Sequence, residues 1–251
     1  MTIELKYSLR AVALFALGAS TVSAFLPCKN KKHVAVSSAL PMADFSLDPE
    51  ETAFVFIEYQ NEFCTEGGKL HEAVKECMDE TKMLEKSSKL AEYARDSGCT
   101  IIHAPISFEK GHQEIADKPY GILANVKEGG AFTSGEWGAD FSEKMMPKEG
   151  DLIVKGKSGL CAFASTNLDF LLRQKDAKNV VLGGFLTNCC VESTMRSAYE
   201  LGYRVYTLTD CCAATSMEAQ DATLKNNFGM FSVPTTSEEV MEAIGVPTIS
   251  N

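Results

Sequence analysis

Short apolar runs alternate with longer amphipathic stretches from Ser46 onward. An apolar run of strand length indicates a β-strand that is covered on both faces, as in a parallel sheet with crossover helices. The runs are TAFVFIE at 52–58, CTIIHAP at 99–105, DLIVKG at 151–156, NVVLGGF at 179–185, RVYTLTD at 204–210 and a weaker GMFSV at 229–233. The pattern predicts an α/β, three-layer Rossmann-like fold, with about six mainly parallel strands and helices on both faces of the sheet.

The amphipathic stretches between these runs predict the connecting helices. The first is long and extends from about His71 to Ser97, and the others lie near 165–175, 189–201 and 216–227. Residues 106–150 interrupt the alternation with PYG, EGG and SGEWG, which predicts a long irregular segment. Because this segment contains Tyr120, Phe132 and Trp137, and aromatic residues are scarce in disordered chains, we expect it to form a pocket wall or a subunit contact.

Residues 1–45 have the composition of a targeting presequence, and we expect the folded domain to span 46–251. Lys6 and Arg10 precede the apolar stretch AVALFALGA, and small residues follow up to about residue 24, as in a signal peptide. The next stretch contains lysines and hydroxyl residues but no acid until Asp44, which is typical of a transit peptide. The junction SAFLP resembles the cleavage motif of bipartite plastid presequences. We therefore predict a plastid protein, with simple secretion as the alternative.

Charge and cysteine content narrow the functional classes. The chain of 251 residues has a net charge of −10, and its lysines and arginines are interspersed with acids, which disfavours nucleic-acid binding. We also expect no membrane contact in the mature form. The nine cysteines include the adjacent pairs Cys189-Cys190 and Cys211-Cys212, neither of which has the CxxC spacing of a metal site. Most cysteines are therefore expected to be small buried apolar side chains.

Three residues that could carry chemistry follow predicted strands, where open parallel sheets bind their ligands. Cys190 lies near the start of a predicted helix, whose free N–H groups would favour a thiolate and could hold an oxyanion. Glu58 ends the first strand and could accept the thiol proton, and Lys157 could balance both negative charges. Each residue alone also has a plainer interpretation: a buried cysteine, a solvated or capping carboxylate, and a surface lysine for which Lys155 is an equal candidate.

Taken together, three motifs resemble the isochorismatase-like cysteine hydrolase superfamily, which includes nicotinamidases, N-carbamoylsarcosine amidohydrolases and isochorismatases. IEYQNEF resembles the first-strand motif, KSGLCAFASTNLDFLL the lysine motif, and FLTNCCVEST the nucleophile motif. The register of the lysine motif selects Lys157 over Lys155, and that of the nucleophile motif selects Cys190 over Cys189. The resemblance covers residues from about 52 to 235. One departure is Glu58, where the family usually has Asp.

The resemblance implies a catalytic triad of Cys190 as nucleophile, Glu58 as general base and acid, and Lys157 as electrostatic support. It further implies an oxyanion hole formed by the backbone N–H groups of Leu186 and Cys190, and a cis peptide between Phe185 and Leu186. The expected substrate-binding residues are Gln60, Phe63, Phe132 and Trp137. We also expect a homo-oligomer by analogy with the family.

The resemblance also bears on cofactors. We expect none, and no catalytic metal, because the segment HAPISFEKGH lacks the Asp-x-His pair that binds metal in nicotinamidases. His103 is accordingly interpreted as a core histidine.

The favoured function is hydrolysis of a small amide or carbamoyl-type C–N bond through a thioester intermediate. Two alternatives stay open. One is an acid-catalysed vinyl ether hydrolysis of the isochorismatase type, which does not use the cysteine. The other is a non-catalytic, redox-responsive binding protein on the same fold, in which Cys189 and Cys190 are oxidised together.

Overall fold

The structure is a computed structural model and describes residues 46–245. Within this range, six strands form one sheet in the order β3-β2-β1-β4-β5-β6, and every pairing is parallel. The strands are β1 Thr52–Ile57, β2 Thr100–Ala104, β3 Leu152–Ile153, β4 Asn179–Phe185, β5 Arg204–Ala213 and β6 Val233–Thr235. The predicted α/β fold with a parallel sheet is confirmed.

Helices connect the strands. They are α1 Asn61–Cys64, α2 His71–Thr81, α3 Met83–Asp96, α4 Ile122–Gly129, α5 Leu168–Gln174, α6 Glu192–Glu200, α7 Met217–Thr223, α8 Gly229–Phe231 and α9 Ser237–Ile244. Two π-helical turns, Thr187–Val191 and Leu224–Phe228, precede α6 and α8. Three 3₁₀ turns also occur, at Pro49–Glu51, Trp137–Ala139 and Glu143–Met145.

Side chains of β1 alternate between two cores, one on each face of the sheet. Phe54 and Phe56 pack into the core that α2, α3 and α9 cover. Val55 and Ile57 point the other way and pack into the core that α5 and α6 cover. All six residues of β1 are buried, as the continuous apolar run predicts for a central strand. The two cores give the three layers expected from the sequence.

The single long helix predicted from His71 to Ser97 is two helices in the structure, α2 and α3. Lys82 has a left-handed backbone (φ 55°) and separates α2 from α3. A straight helix would carry the apolar stripe of Cys77 and Met78 on to Thr81 and Glu85, which are polar. The break resets the register, so Met83 is fully buried instead.

The predicted sixth strand is present, but it spans Val233–Thr235 and does not begin at Gly229. Residues 229–231 continue the helical path of α7 as α8, and the last strand is β6, which pairs with β5 through Tyr206 and Val233. The sequence prediction also missed α9. The sequence does contain its capping box, a Thr at 236 followed three residues later by Glu239. In the structure, the Thr236 side chain accepts from the Glu239 N–H, and the Glu239 carboxylate accepts from the Thr236 N–H.

Residues 106–150 are more regular than predicted. The segment contains α4 and two of the 3₁₀ turns, and a bridge between Phe108 and Thr133 closes it. Of its aromatic residues, Phe132 is buried, Trp137 is half exposed and Tyr120 is almost fully exposed. Of the three aromatic residues on which the prediction rested, only Phe132 is therefore interior, and Phe108 in the same segment is buried as well.

The predicted presequence, residues 1–45, lies outside the described residues. Within residues 46–245, no helix has the length and apolar character needed to cross a membrane.

Candidate active site

The three predicted catalytic residues meet at the carboxyl edge of the sheet. Glu58 follows β1, Lys157 follows β3, and Cys190 follows β4. The Lys157 Nζ donates a hydrogen bond to Glu58 Oε1, and both side chains act electrostatically on the Cys190 thiol. None of the three residues is more than 4% exposed. The structure thus assembles a buried cation, a carboxylate and a thiol from residues up to 132 positions apart (190 − 58).

The backbone around Glu58 turns sharply away from the sheet. Glu58 has φ 59°, a left-handed backbone conformation that residues other than glycine rarely adopt. Its N–H still donates to the carbonyl of Ala104 in β2, and its own carbonyl accepts from the Gln60 N–H at 2.7 Å. This turn fixes the residue at the junction of β1, β2 and β4.

Close packing of β4 against β1 supports the same junction. Gly184 has φ 135°, and a Cβ at this position would collide with the Ile57 backbone. Only glycine therefore allows β4 to pass beside the end of β1 and lead directly into the nucleophile turn.

Lys157 is held as a buried cation. Its Nζ also donates to the Gly159 carbonyl at 2.9 Å. Burial opposes charge on this ammonium group, but the negative charge of Glu58 and the hydrogen bond with it outweigh burial, so the pKa of Lys157 lies above its ordinary value. Lys157 therefore stays protonated and balances the charge of Glu58.

Cys190 lies in the π-helical turn Thr187–Val191, which the chain enters through a cis peptide between Phe185 and Leu186. A hydrogen bond with the Cys189 thiol, burial and the Glu58 carboxylate all raise the pKa of Cys190 well above its ordinary value, and Lys157 only partly opposes them. The sequence argument from helix N–H groups predicted a thiolate. The structure instead indicates a protonated thiol that needs a base when it reacts.

The expected oxyanion hole begins at Leu186. Its carbonyl accepts from the N–H groups of Cys189 at 3.0 Å and Val191 at 3.2 Å, which holds the turn together. Among residues 46–245, no acceptor is found for the Leu186 N–H itself. Since buried N–H groups are almost always paired, this donor is available for a developing negative charge.

A small cavity of about 20 Å³ adjoins Cys190. Glu58 and Cys190 supply its polar side chains, whereas Lys157 lies behind Glu58 and does not line it. The remaining lining residues are apolar: Phe63, Leu70, Ile106, Ile122, Leu123, Val126, Phe132, Leu160 and Leu186. A thiol, a carboxylate and an unpaired N–H therefore meet at an apolar chamber, an arrangement suited to nucleophilic attack on a carbonyl carbon.

A family model described as an isochorismatase domain matches residues 52–239 of this chain. The chain belongs to the isochorismatase family. The matched range includes Glu58, Lys157 and Cys190 and the three motifs that carry the resemblance.

Similar proteins include curated hydrolases and solved structures. A ureidoacrylate amidohydrolase (RutB) of Agrobacterium fabrum is 29% identical over 169 residues, which cover 63% of this chain and 74% of that protein. A cysteine hydrolase from Pseudomonas syringae pv. phaseolicola has a TM-score of 0.71 and 25% identity, with 81% of this chain and 97% of the other covered. An isochorismatase-like hydrolase from Alkaliphilus metalliredigens has a TM-score of 0.63 and 27% identity, with 77% and 98% covered.

Two of the four expected substrate-binding residues line the cavity of this isochorismatase-family chain. Phe63 stacks on Phe185 with ring centroids 4.9 Å apart, and it meets Phe132 at 5.4 Å. Phe132 has φ 58°, and its N–H donates to the buried Glu62 carboxylate at 3.1 Å. Glu62 therefore fixes an aromatic wall of the cavity through the backbone.

Gln60 and Trp137 lie elsewhere. The Gln60 amide donates to the carbonyls of Ile106 (2.8 Å) and Ala139 (2.7 Å), and its oxygen accepts from the Ile106 N–H. All of its side-chain groups are thus engaged in positioning loops. Trp137 is 50% exposed and is not among the residues that line the cavity.

Sequence reasoning missed the helical wall of the cavity. Ile122, Leu123 and Val126 come from α4, inside the segment that was predicted to be irregular. Their spacing of one and four positions is an amphipathic signal, but it occurs between glycines and is short. Sequence reasoning also missed Gln220, whose Oε1 accepts from the Thr187 hydroxyl at 2.6 Å and thereby anchors the nucleophile turn.

The histidines are placed away from any metal-like cluster. Within residues 46–245, no three His, Cys, Asp or Glu side chains are grouped as metal ligands. His112 Nε2 meets the Ala131 carbonyl at 2.7 Å, and His103 Nε2 meets Asp151 Oδ2 at 3.1 Å. His103 is buried as expected, although its Nδ1 has no partner. That the enzyme needs neither a metal nor another cofactor stays a prediction.

The other cysteines mostly follow the expected pattern. All eight cysteines in the described range are free thiols, and only Cys161 and Cys189 are partly exposed. Burial raises the pKa of Cys64, Cys99 and Cys212 to about 12, so these thiols are unreactive at neutral pH.

Proposed function

We propose that the protein hydrolyses a small amide or carbamoyl-type C–N bond, with Cys190, Lys157 and Glu58 as a catalytic triad and a thioester as intermediate. One observation carries this proposal: the buried Lys157–Glu58 ion pair lies against the Cys190 thiol at the cavity. Buried ion pairs are costly, and this one adjoins a nucleophile, which makes a catalytic role the better explanation.

In the first half of the reaction, the Glu58 carboxylate takes the thiol proton as Cys190 Sγ bonds to the substrate carbonyl carbon. The oxygen becomes an oxyanion, which the N–H groups of Leu186 and Cys190 stabilise. Glu58 then gives its proton to the departing nitrogen as the C–N bond breaks, so that ammonia or an amine leaves and a thioester remains.

In the second half, water attacks the thioester while Glu58 takes one of its protons. The C–S bond breaks, the acid is released, and the proton returns to Cys190 Sγ. Lys157 balances negative charge throughout, because it is paired with Glu58 and also stabilises the thiolate form of Cys190.

The names of related proteins support a C–N bond as the target. Curated relatives with 26–29% identity are ureidoacrylate amidohydrolases. An amidohydrolase cleaves such a bond with water, which is the reaction proposed here for a small-molecule substrate.

Replacing the nucleophile tests the proposal. We expect Cys190→Ala to abolish hydrolysis across a library of small amides and ureido compounds, and we expect wild-type protein quenched during turnover to carry an acyl mass on the Cys190 peptide. Cys99→Ala is the matched control, because Cys99 is another buried cysteine but lies at the amino end of β2, opposite the site. Full activity in Cys190→Ala with none in Glu58→Gln would indicate acid-catalysed vinyl ether hydrolysis instead.

We also propose that the protein forms a homo-oligomer and that residues 1–45 target it to a plastid. Analytical ultracentrifugation of residues 46–251 tests the first. Imaging of residues 1–50 fused to a fluorescent protein tests the second, and a cytosolic signal would contradict both plastid targeting and secretion.

A further inference from the structure

We propose that the acyl pocket selects an uncharged, apolar substrate and excludes one that carries a carboxylate. This inference rests on the proposed function, because it concerns the group that becomes attached to Cys190. It separates the protein from relatives named after ureidoacrylate, whose acrylate group is a carboxylate. The substrate class would be short aliphatic or alkenyl amides, or ureido compounds without an acid group.

The first argument is the chemistry of the cavity wall. Nine of the eleven lining residues are aliphatic or aromatic, and the two exceptions are the reacting groups Glu58 and Cys190. No hydroxyl, amide, imidazole or guanidinium side chain in the described range lines this cavity. A carboxylate that entered it would lose its hydration without gaining a counter-charge, which is strongly unfavourable.

The lysines on the segments around the cavity already donate hydrogen bonds to other groups. The Lys157 ammonium is bonded to Glu58 and Gly159. Lys127, on the α4 helix that forms one wall, donates to the carbonyls of Ile115 and Ala116.

Lys69 precedes the lining residue Leu70 and is committed in the same way. Its Nζ donates to the Gly130 carbonyl at 2.6 Å and pairs with Glu62 at 3.7 Å. None of these three ammonium groups lines the cavity, whereas the Glu58 carboxylate does, and a carboxylate there disfavours an incoming anion.

The volume of the cavity also limits which substrate can enter. A cavity of about 20 Å³ is on the scale of one water molecule, so a substrate must displace side chains to enter. The displaced wall is most easily α4, an eight-residue helix with Gly121 and Gly130 at its two caps, which have φ of 64° and 60°. A short apolar group replaces contacts with Ile122, Leu123 and Val126 by similar contacts, whereas a charged group does not.

Three alkylating reagents test this inference without knowledge of the natural substrate. Iodoacetamide, iodoacetate and N-butyl iodoacetamide differ in charge and apolar size but form the same type of S–C bond with release of iodide. Rates at Cys190 are measured in the purified protein by peptide mapping at fixed pH, and each is divided by the rate for 2-mercaptoethanol with that reagent.

We expect the normalised preference of Cys190 for iodoacetamide over iodoacetate to be tenfold or more, which corresponds to about 1.4 kcal/mol. N-butyl iodoacetamide should react at least as fast as iodoacetamide after normalisation. The variant Leu123→Arg, which adds a cation to the wall, should reduce the preference for the neutral reagent, and Leu123→Met should keep it.

The outcomes separate this inference from the proposed function. If Cys190 shows the same iodoacetamide-to-iodoacetate ratio as 2-mercaptoethanol, or rejects the butyl reagent, the apolar-substrate inference is wrong and the nucleophile assignment stands. If Cys190 reacts with none of the three reagents while Cys189 does, the nucleophile assignment fails, and the proposed function fails with it.

Discussion

The molecule buries two groups of ionisable side chains that look alike in composition. One is the group of Lys157, Glu58 and Cys190, which we propose to be catalytic. The other lies beneath α3, where the carboxylate of Asp151 accepts from Arg95 Nε at 2.9 Å and Arg95 Nη2 at 2.8 Å and also contacts His103 Nε2 at 3.1 Å. Each group has one cation, one carboxylate and one group that can change its protonation near physiological pH or above it.

They differ in how fully the carboxylate is engaged. Asp151 receives, besides Arg95 and His103, the backbone N–H of Lys148 at 2.9 Å, so both of its oxygens are used. Glu58 accepts from Lys157 through Oε1, and within residues 46–245 its second oxygen has no hydrogen-bond partner. Glu58 also lines a cavity. A saturated carboxylate holds loops together, whereas one with a free oxygen beside a nucleophile can move a proton.

The substitution Glu58→Gln tests most directly whether Glu58, unlike Asp151, transfers a proton. We expect turnover to fall roughly 10²–10⁴-fold, the usual contribution of a general acid or base. The same change should speed alkylation of Cys190 at pH 8, because removing the negative charge of Glu58 lowers the pKa of the thiol. Steady-state kinetics and peptide mapping measure the two effects. A loss of both would mean that Glu58 only maintains the local structure.

Asp151→Asn should affect stability rather than chemistry. The Asp151 side chain is 2% exposed, so its neutralisation leaves the partly buried Arg95 without its counter-charge. Removing one partner of a buried pair costs about 3–5 kcal/mol, and we expect a loss near this range in the free energy of unfolding by urea. Glu92→Gln is the control, since its pair with Lys148 is exposed to solvent and its loss should change the free energy of unfolding far less than the loss of Asp151. Equal effects of the two substitutions would contradict the structural role of Asp151.

His103 should give a modest dependence of folding stability on acidic pH. Burial lowers the pKa of His103 below its ordinary value of 6.5, and the hydrogen bond with Asp151 only partly offsets this. Between the folded and unfolded pKa values the unfolded chain binds more protons, so stability is complete above about pH 6.5 and is lost as the pH falls toward the folded value. The slope is at most about 1.4 kcal/mol per pH unit. Urea unfolding at several pH values should show a weaker acid dependence in His103→Gln than in wild type.

The sequence predicted that Glu58, Lys157 and Cys190 lie together, but it predicted less of what surrounds them, for a physical reason. Glu58, Lys157 and Cys190 each follow a strand, and parallel strands place such residues at one edge of the sheet. The charges and hydrogen bonds that set the Cys190 pKa depend instead on Cys189, on burial and on Glu58 in three dimensions. The thiolate expectation rested on the local helix alone and left these contributions out.

Residues outside the motif positions were harder to assign. Gln60 belongs to a motif, but its amide is used to hold the loops at Ile106 and Ala139, which only tertiary contacts reveal. The α4 wall was missed because glycines at its caps hide a short apolar stripe. In the opposite direction, Lys82 is a good helix former that nevertheless interrupts a helix, because the core requires Met83 at a new angular position.

The origin of the cavity wall in α4 has an evolutionary consequence. The reacting groups lie at strand ends, beside a position, Gly184, that tolerates no side chain. The wall opposite them belongs to a helix between two glycines on a separate stretch of chain. Substitutions at Ile122, Leu123 or Val126 would therefore reshape the cavity while the residues at the strand ends stay in place, so that the cavity can diverge among relatives through changes in one short helix.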